Sequence, residues 1–370
     1  MTFRGSTSAE SAISATAEAA DMAHRAGLVY VSDTLPGYRR ERFGKRFRYL
    51  LPDDRVLKSR VELKRIAQLA IPPAYEDVWV CMDPRGHLQA TGRDARRRKQ
   101  YRYHAQWRSI RDDAKFDRMA TFAEALPRLR RRVARDLALD GLPREKVLAV
   151  VISVLDATCV RVGNEEYARD NKSFGLTTLR NRHVSFIRDG RAILNFRGKG
   201  GVPHEVLIDD RRIVKIMRRC QELPGQQLFQ YVTDEGQRAP IDSGQVNEYL
   251  RDCMGDDFTA KDFRTWAATL HAIQLLARTP VPVDASERAM KSEIVAVVKQ
   301  VAAKLRNTPA VCRKSYINPM VFEAWRSGAI QQAFSGGLKL AAPRQTETRV
   351  LAFLIRRANG VASSRRNQAD

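Results

Sequence analysis

The 370-residue chain carries 65 Lys and Arg against 42 Asp and Glu, a net charge of +23 at pH 7 with a pI near 10.3. An apolar fraction of 44% supplies a core, and no apolar run reaches the roughly 18 residues of a membrane-spanning helix. The charge surplus calls for a polyanionic partner, because each phosphate neutralised by a cation releases condensed counterions; basic residues interleaved with aromatic ones favour nucleic acid over anionic lipid. Cys81, Cys159, Cys220, Cys253 and Cys312 are odd in number and include no C-x-x-C pair, and the six histidines show no H-E-x-x-H spacing. A disulfide framework and a metal site are therefore not expected, and inert thiols point to the reducing cytoplasm.

In chain order, residues 1–27 mix Ala and Ser with Glu10, Glu18 and Asp21, which fits a flexible tail and neither a secretory signal nor a transit peptide. Residues 28–112 are punctuated by Gly and Pro and predict a small β-rich domain. Its short strands include Leu28–Val31, Arg46–Leu50, Val78–Met82 and, after an Asp83-Pro84-Arg85-Gly86 turn, His87–Ala90. Residues 113–340 change to helical periodicity, as in Val147, Val150, Val151, Val154 and Leu155. One strand pair interrupts them: Ala192–Phe196 and Val206–Ile208 flank Gly198-Lys199-Gly200-Gly201, so Lys199 stands at a hairpin tip. Thr259 and Asp262 start a helix whose apolar stripe is Phe263, Trp266, Ala267 and Leu270, and Arg264 must point elsewhere. Asp284 and Glu287 open the next, with a stripe from Ile294 to Leu305 that runs until Asn307. Tyr316 lies near the end of a short helical piece between Pro309 and Pro319, and residues 341–370 give a C-terminal helix and polar tail. The fold class is α+β, a small β-rich domain followed by a larger, mainly helical one.

Breaking a phosphodiester without a metal needs a nucleophile, a proton for the leaving oxygen, and charge stabilisation at the non-bridging oxygens. Tyrosine forms covalent intermediates, arginine offers a permanent planar charge matched to phosphate, and lysine is a mobile proton donor. The chain resembles the type IB DNA topoisomerases, in particular their small poxvirus-like branch that also occurs in bacteria. The resemblance is carried by Cys159-Val160-Arg161-Val162-Gly163-Asn164, Gly175-Leu176-Thr177-Thr178-Leu179 and Phe196-Arg197-Gly198-Lys199-Gly200. It continues through Lys261-Asp262-Phe263-Arg264-Thr265-Trp266 and Asn307-Thr308-Pro309 to Ser315-Tyr316. Singly these are weak signals; their shared order and spacing are specific.

The resemblance implies relaxation of supercoiled duplex DNA through a 3′-phosphotyrosyl intermediate, strand swivelling and religation, without ATP, metal or other cofactor. One chain contains the whole catalytic set, so a monomer is expected, acting on double-stranded DNA in the cytoplasm at the nucleoid. Position by position it puts the nucleophile at Tyr316, the phosphate-clamping arginines at Arg161 and Arg264, and the general acid at Lys199. The remaining family position, commonly histidine, is Asn307 here, as in some bacterial members; an uncharged amide predicts a weaker clamp. Lys261, one turn before Arg264, is a candidate phosphate contact, His271 is read as structural or DNA-adjacent, and Thr265 back-bonds within its helix. In the first domain Gln100, Tyr101 and Tyr103 match the family's Gln-Tyr-x-Tyr element, which enters the major groove, while Arg96, Arg97, Arg98 and Lys99 are expected to grip phosphates.

Two alternatives stay open on sequence. A tyrosine recombinase shares the nucleophile and helical core, but usually shows His-x-x-Arg where this chain has Lys261-Asp262-Phe263-Arg264 and begins with helices. A non-catalytic DNA-binding protein of the same fold is supported only by the Asn307 departure.

Overall fold

A computed structural model describes residues 17, 19–44, 46–95, 97–255, 258–281, 286–335 and 343–366. The chain divides into two compact units, Met1–Lys115 and Phe116–Asp370. The first is strand-rich and the second mainly helical.

After a short helix α1 (residues 19–25), the first unit builds one antiparallel sheet in the order β2-β1-β3-β4-β5. Its strands are β1 (Tyr38–Phe43), β2 (Arg46–Leu50), β3 (Glu76–Val80), β4 (Leu88–Arg93) and β5 (Lys99–Tyr103). One helix, α2 (Arg60–Gln68), is capped by Ser59, whose hydroxyl accepts from the Glu62 N–H, and buries Ile66. Ile66 meets Tyr38, Leu57, Val78, Val80 and Ala90 in a small core. The expected strand at Leu28–Val31 is not formed. Only an isolated bridge joins Val29 to Gly86, and the Val31 N–H is taken by the His87 Nδ1 at 3.0 Å, so a side chain replaces the ladder.

Helix α3 (Ala105–Asp136) crosses the unit boundary, and α4 (Arg144–Thr158) lies in the core of the second unit. From Lys146 to Ile152 every residue of α4 is buried, a helix apolar nearly all round and therefore surrounded. It leads through α5 (Glu165–Asn171) to a three-stranded antiparallel sheet of β6 (Val184–Phe186), β7 (Ala192–Arg197) and β8 (Pro203–Ile208). There follow α6 (Arg211–Glu222), the short pair β9 (Gln230–Val232) and β10 (Arg238–Pro240), and α7 (Ser243–Met254). Helix α8 (Ala260–Leu276) starts at a capping box in which the Asp262 carboxylate accepts from the Thr259 N–H at 2.8 Å.

Helix α9 (Glu287–Leu305) buries Ile294, Val297, Val298, Val301 and Leu305 along one stripe. Its cap is Ser286, which accepts from the Ala289 N–H; Asp284, expected to open it, lies outside the described residues. Helices α10 (Pro309–Ser315), α11 (Met320–Arg326) and α12 (Ala329–Ala333) are short. The last helix, α13 (Pro343–Arg366), is fastened back by Arg130, whose guanidinium pairs with Asp156 at 2.8 Å and with Glu347 at 2.6 Å.

Candidate active site

The loop after α4 sets Arg161. Cys159 closes the helix in the left-handed conformation (φ 55°), and the next residues run extended against the Gly175–Thr178 turn. The Arg161 carbonyl accepts from the Leu176 N–H at 2.9 Å, and the Val162 carbonyl accepts from the Thr177 N–H at 2.6 Å. Two backbones meet so closely that a Cβ on Gly175 would lie 2.5 Å from the Gly163 nitrogen and 2.6 Å from the Arg161 oxygen. Only glycine fits there.

Helix α8 sets Arg264. Its side chain is 3% exposed and turns away from the stripe of Phe263 and Trp266 toward two carbonyls. Nη1 donates to the carbonyl of Cys159, and Nη2 to that of Leu305 at 2.8 Å. Both acceptors sit at helix C-termini, where the backbone carries partial negative charge. One guanidinium thus ties the ends of α4 and α9 together.

Helix α9 stops because Arg306 adopts the left-handed conformation (φ 51°), so Arg306 and not Asn307 makes the C-cap. Asn307 is thereby freed from capping, and its Oδ1 accepts from Arg161 Nη2. Thr308 then caps α10, with Pro309 in its first turn. Tyr316 follows as the C-terminal cap residue, 9% exposed. Its carbonyl accepts from the Thr269 hydroxyl at 3.3 Å, and the same hydroxyl accepts from the Asn318 N–H at 3.1 Å. Helix α8 therefore carries Arg264 and also pins the backbone of Tyr316.

The Arg264 guanidinium carbon stands 5.1 Å from the Tyr316 ring centroid. Burial pushes the phenol pKa up, but the charge and hydrogen bond of Arg264, then the charges of Arg161 and Lys261, outweigh it and leave it below the ordinary value. Burial, and then the neighbouring Arg264, work against the charge of Arg161, while its hydrogen bond to Tyr316 favours it. Among the described residues, Arg264 Nε, Asn307 Nδ2 and Arg306 Nη1 are buried polar atoms without a protein partner. Each such donor costs about 1–3 kcal/mol when left unsatisfied. Arg264 borders the Tyr316 ring and Asn307 is bonded to Arg161, so their free N–H groups are available to an anion's oxygens near the phenol.

Lys199 is exposed at the tip of the β7–β8 hairpin, in a turn where Gly200 and Gly201 have φ of 76° and 78°. The hairpin is tied to the end of α9 midway along β8, where Arg306 Nη2 donates to the Glu205 carbonyl. Lys261 is exposed, Thr265 donates to the Lys261 carbonyl at 3.5 Å, and His271 is half-buried against Gln274 at 3.4 Å. Three neighbours of the cluster carried no signal in the sequence: Arg306, Thr269 and His204.

A family model described as the catalytic core of eukaryotic DNA topoisomerase I matches residues 104–332, and one for the N-terminal domain of bacterial DNA topoisomerase IB matches residues 46–94. The chain is also 34% identical over 298 residues to DNA topoisomerase 1B of Acanthamoeba polyphaga mimivirus, across 79% of this chain and 88% of that protein. This chain belongs to the type IB DNA topoisomerases. DNA topoisomerase 1B of vaccinia virus (strain Copenhagen) is 23% identical over 67% of this topoisomerase and 75% of its own length. DNA topoisomerase 1 of Schizosaccharomyces pombe is 24% identical over 46% of the chain and 20% of its own.

In the strand-rich unit of the topoisomerase, the residues expected to touch DNA gather around β5, an edge strand of the sheet. Strand alternation separates them. Lys99, Tyr101 and Tyr103 share one face, with the two tyrosine rings stacked 6.0 Å apart and Tyr101 47% exposed. Gln100 lies on the other face, where it donates to Asp94 at 3.0 Å. Arg98 pairs with Asp94 at 2.6 Å and Lys99 with Asp33 at 2.5 Å; Arg97 is exposed with φ 57°. Arg96 lies outside the described residues.

Proposed function

We propose that this type IB topoisomerase relaxes supercoiled duplex DNA through a covalent bond between Tyr316 and a 3′-phosphate. The observation that carries the reading is the Tyr316 phenol, acidified by Arg264 and Arg161 and flanked by unpartnered donors. The Tyr316 oxygen attacks phosphorus while the bond to the 5′-oxygen breaks, and Lys199 gives that oxygen its proton. Arg161, Arg264 and the Asn307 amide receive the charge that builds on the non-bridging oxygens. The free 5′ end swivels about the intact strand. Its hydroxyl then attacks the phosphotyrosine, returns its proton to Lys199 and restores the backbone. The phosphotyrosyl bond conserves the energy of the broken linkage, so resealing needs no ATP. Two guanidiniums and an ammonium supply the charge that a metal supplies elsewhere, and one chain holds the full set, so the protein acts as a monomer.

The test is relaxation of a supercoiled plasmid in chelator, without nucleotide, beside Tyr316→Phe. Both positive and negative supercoils are expected to relax, with a protein–DNA adduct trapped by denaturant. Tyr316→Phe is expected to bind DNA and yield neither product. An adduct that persists in Tyr316→Phe, or relaxation that stops in chelator, overturns the reading.

A further inference from the structure

At the neck of the β7–β8 hairpin lies a residue that the scheme above does not use. His204 on β8 pairs across the ladder with Phe196 on β7, and its ring stacks on the phenyl at 4.7 Å with planes 18° apart. The side chain is 5% exposed, and neither ring nitrogen has a hydrogen-bond partner among the described residues. A phenyl or leucine in that place would bury no polar atom, so core packing does not account for an imidazole.

The ring edge abuts Gly198, the residue before Lys199. A Cβ on Gly198 would lie 2.5 Å from His204 Nε2, although the backbone there (φ −88°, ψ −164°) is open to any residue. Beyond this contact the tip has little to hold it. Gly200 and Gly201 face open space, and the turn is closed by two backbone bonds, Gly198 N–H to Val202 at 2.8 Å and Gly201 N–H to Gly198 at 3.0 Å.

We propose that His204 is a positioning residue for Lys199: stacked on Phe196 and seated against Gly198, its ring fixes the neck of the hairpin so that the ammonium is presented to the leaving oxygen. Burial, and then the charges of Arg306, Arg161 and Arg264, hold the imidazole pKa down to about 4. The ring is thus neutral near pH 7 and adds no repulsion to the lysine it orients. This inference rests on the reading of Lys199 as proton donor.

The experiment is single-turnover cleavage of a duplex carrying either the ordinary 5′-oxygen or a 5′-bridging sulfur, whose thiolate leaves without a proton. Lys199→Ala calibrates it. His204→Ala is expected to slow the oxygen substrate about 10- to 100-fold, part of what general acid catalysis supplies, and to cleave the sulfur substrate within about threefold of the unsubstituted protein. Gly198→Ala should show the same pattern, and carries the test if His204→Ala does not melt cooperatively. The double variant should be no slower than His204→Ala, because the collision disappears with the ring. Equal slowing on both substrates, or multiplicative effects in the double variant, overturns the inference while rescue of Lys199→Ala leaves the reading of Lys199 standing. If Lys199→Ala is itself not rescued by sulfur, both fall.

Discussion

Two sets of cationic side chains in this topoisomerase, one on the surface of the strand-rich unit and one at the candidate site of the helical unit, are held in opposite ways. On the strand-rich unit they are exposed or half-exposed and paired with carboxylates of the same surface, as in Arg48 with Glu41, Arg98 with Asp94 and Lys99 with Asp33. In the helical unit Arg264 is buried and bonded to two backbone carbonyls, and Arg161 is held by Asn307. Surface pairs contribute about 0–1 kcal/mol, so a phosphate can take the place of the carboxylate at little cost. A buried guanidinium cannot be exchanged in that way; it is fixed before substrate arrives, which is what transition-state stabilisation requires. Under the proposed function, the first set is expected to govern affinity and its salt dependence, the second the rate of chemistry.

The sharpest way to break that division is Arg264→Ala. Cleavage by the bound enzyme should fall about 10²–10³-fold, the usual effect of losing one preorganised donor. The pH profile should move as well. Under the proposed function the phenolate attacks, and Arg264 holds the Tyr316 pKa below its ordinary value against burial, so cleavage in the unsubstituted protein should level off below pH ~10. In Arg264→Ala burial dominates and the plateau should move to higher pH. A rate loss without that movement places the effect elsewhere. Asn307→Ala should act in the same sense, about 10-fold, since a neutral donor is lost and Arg161 loses one of its partners. If instead it weakens binding with cleavage at saturation intact, Asn307 belongs with the surface set.

Lys99→Ala with Tyr101→Ala should weaken DNA binding and lower the salt slope by about 0.9 for the one phosphate contact removed, while cleavage at saturating DNA stays unchanged. An unaltered slope excludes Lys99 from the phosphate contacts. The smallest effect concerns acid stability. His183, buried with its Nδ1 accepting from the Arg180 N–H at 3.0 Å, has its pKa lowered to about 4 by burial and then by Arg182 and Arg180. The unfolded chain binds the proton more readily, so this contribution is complete above pH ~6.5 and is lost as pH falls toward 4. His183→Asn, which keeps an acceptor and cannot be protonated, should flatten the fall in melting temperature over that window.

Much of the architecture was legible because its signals are local. The hairpin follows from its Gly-rich centre, α8 from Thr259 and Asp262, and α9 from its apolar stripe. The Leu28–Val31 segment misled because β-propensity says nothing of the His87 ring that occupies its N–H. Period-2 alternation already sets Gln100 opposite Tyr101 and Tyr103, but a motif read as a unit hides it. That Arg264 avoids the apolar stripe could be read from the sequence; that its destination is the carbonyls of Cys159 and Leu305 could not, since those contacts span 105 and 41 residues. Counting back along the hairpin pairs Phe196 with His204, yet nothing in that register shows the ring closing on Gly198.

The bonds from Arg264 to the ends of α4 and α9 have an evolutionary corollary. A descendant that lost the power to cut DNA could not discard this arginine freely, because two helix termini would come unlatched with it. Lys199, exposed at the hairpin tip, supports no such latch and would drift first. Under the proposed function, that lysine is the more telling witness of a living enzyme, because the arginine testifies to the fold as well.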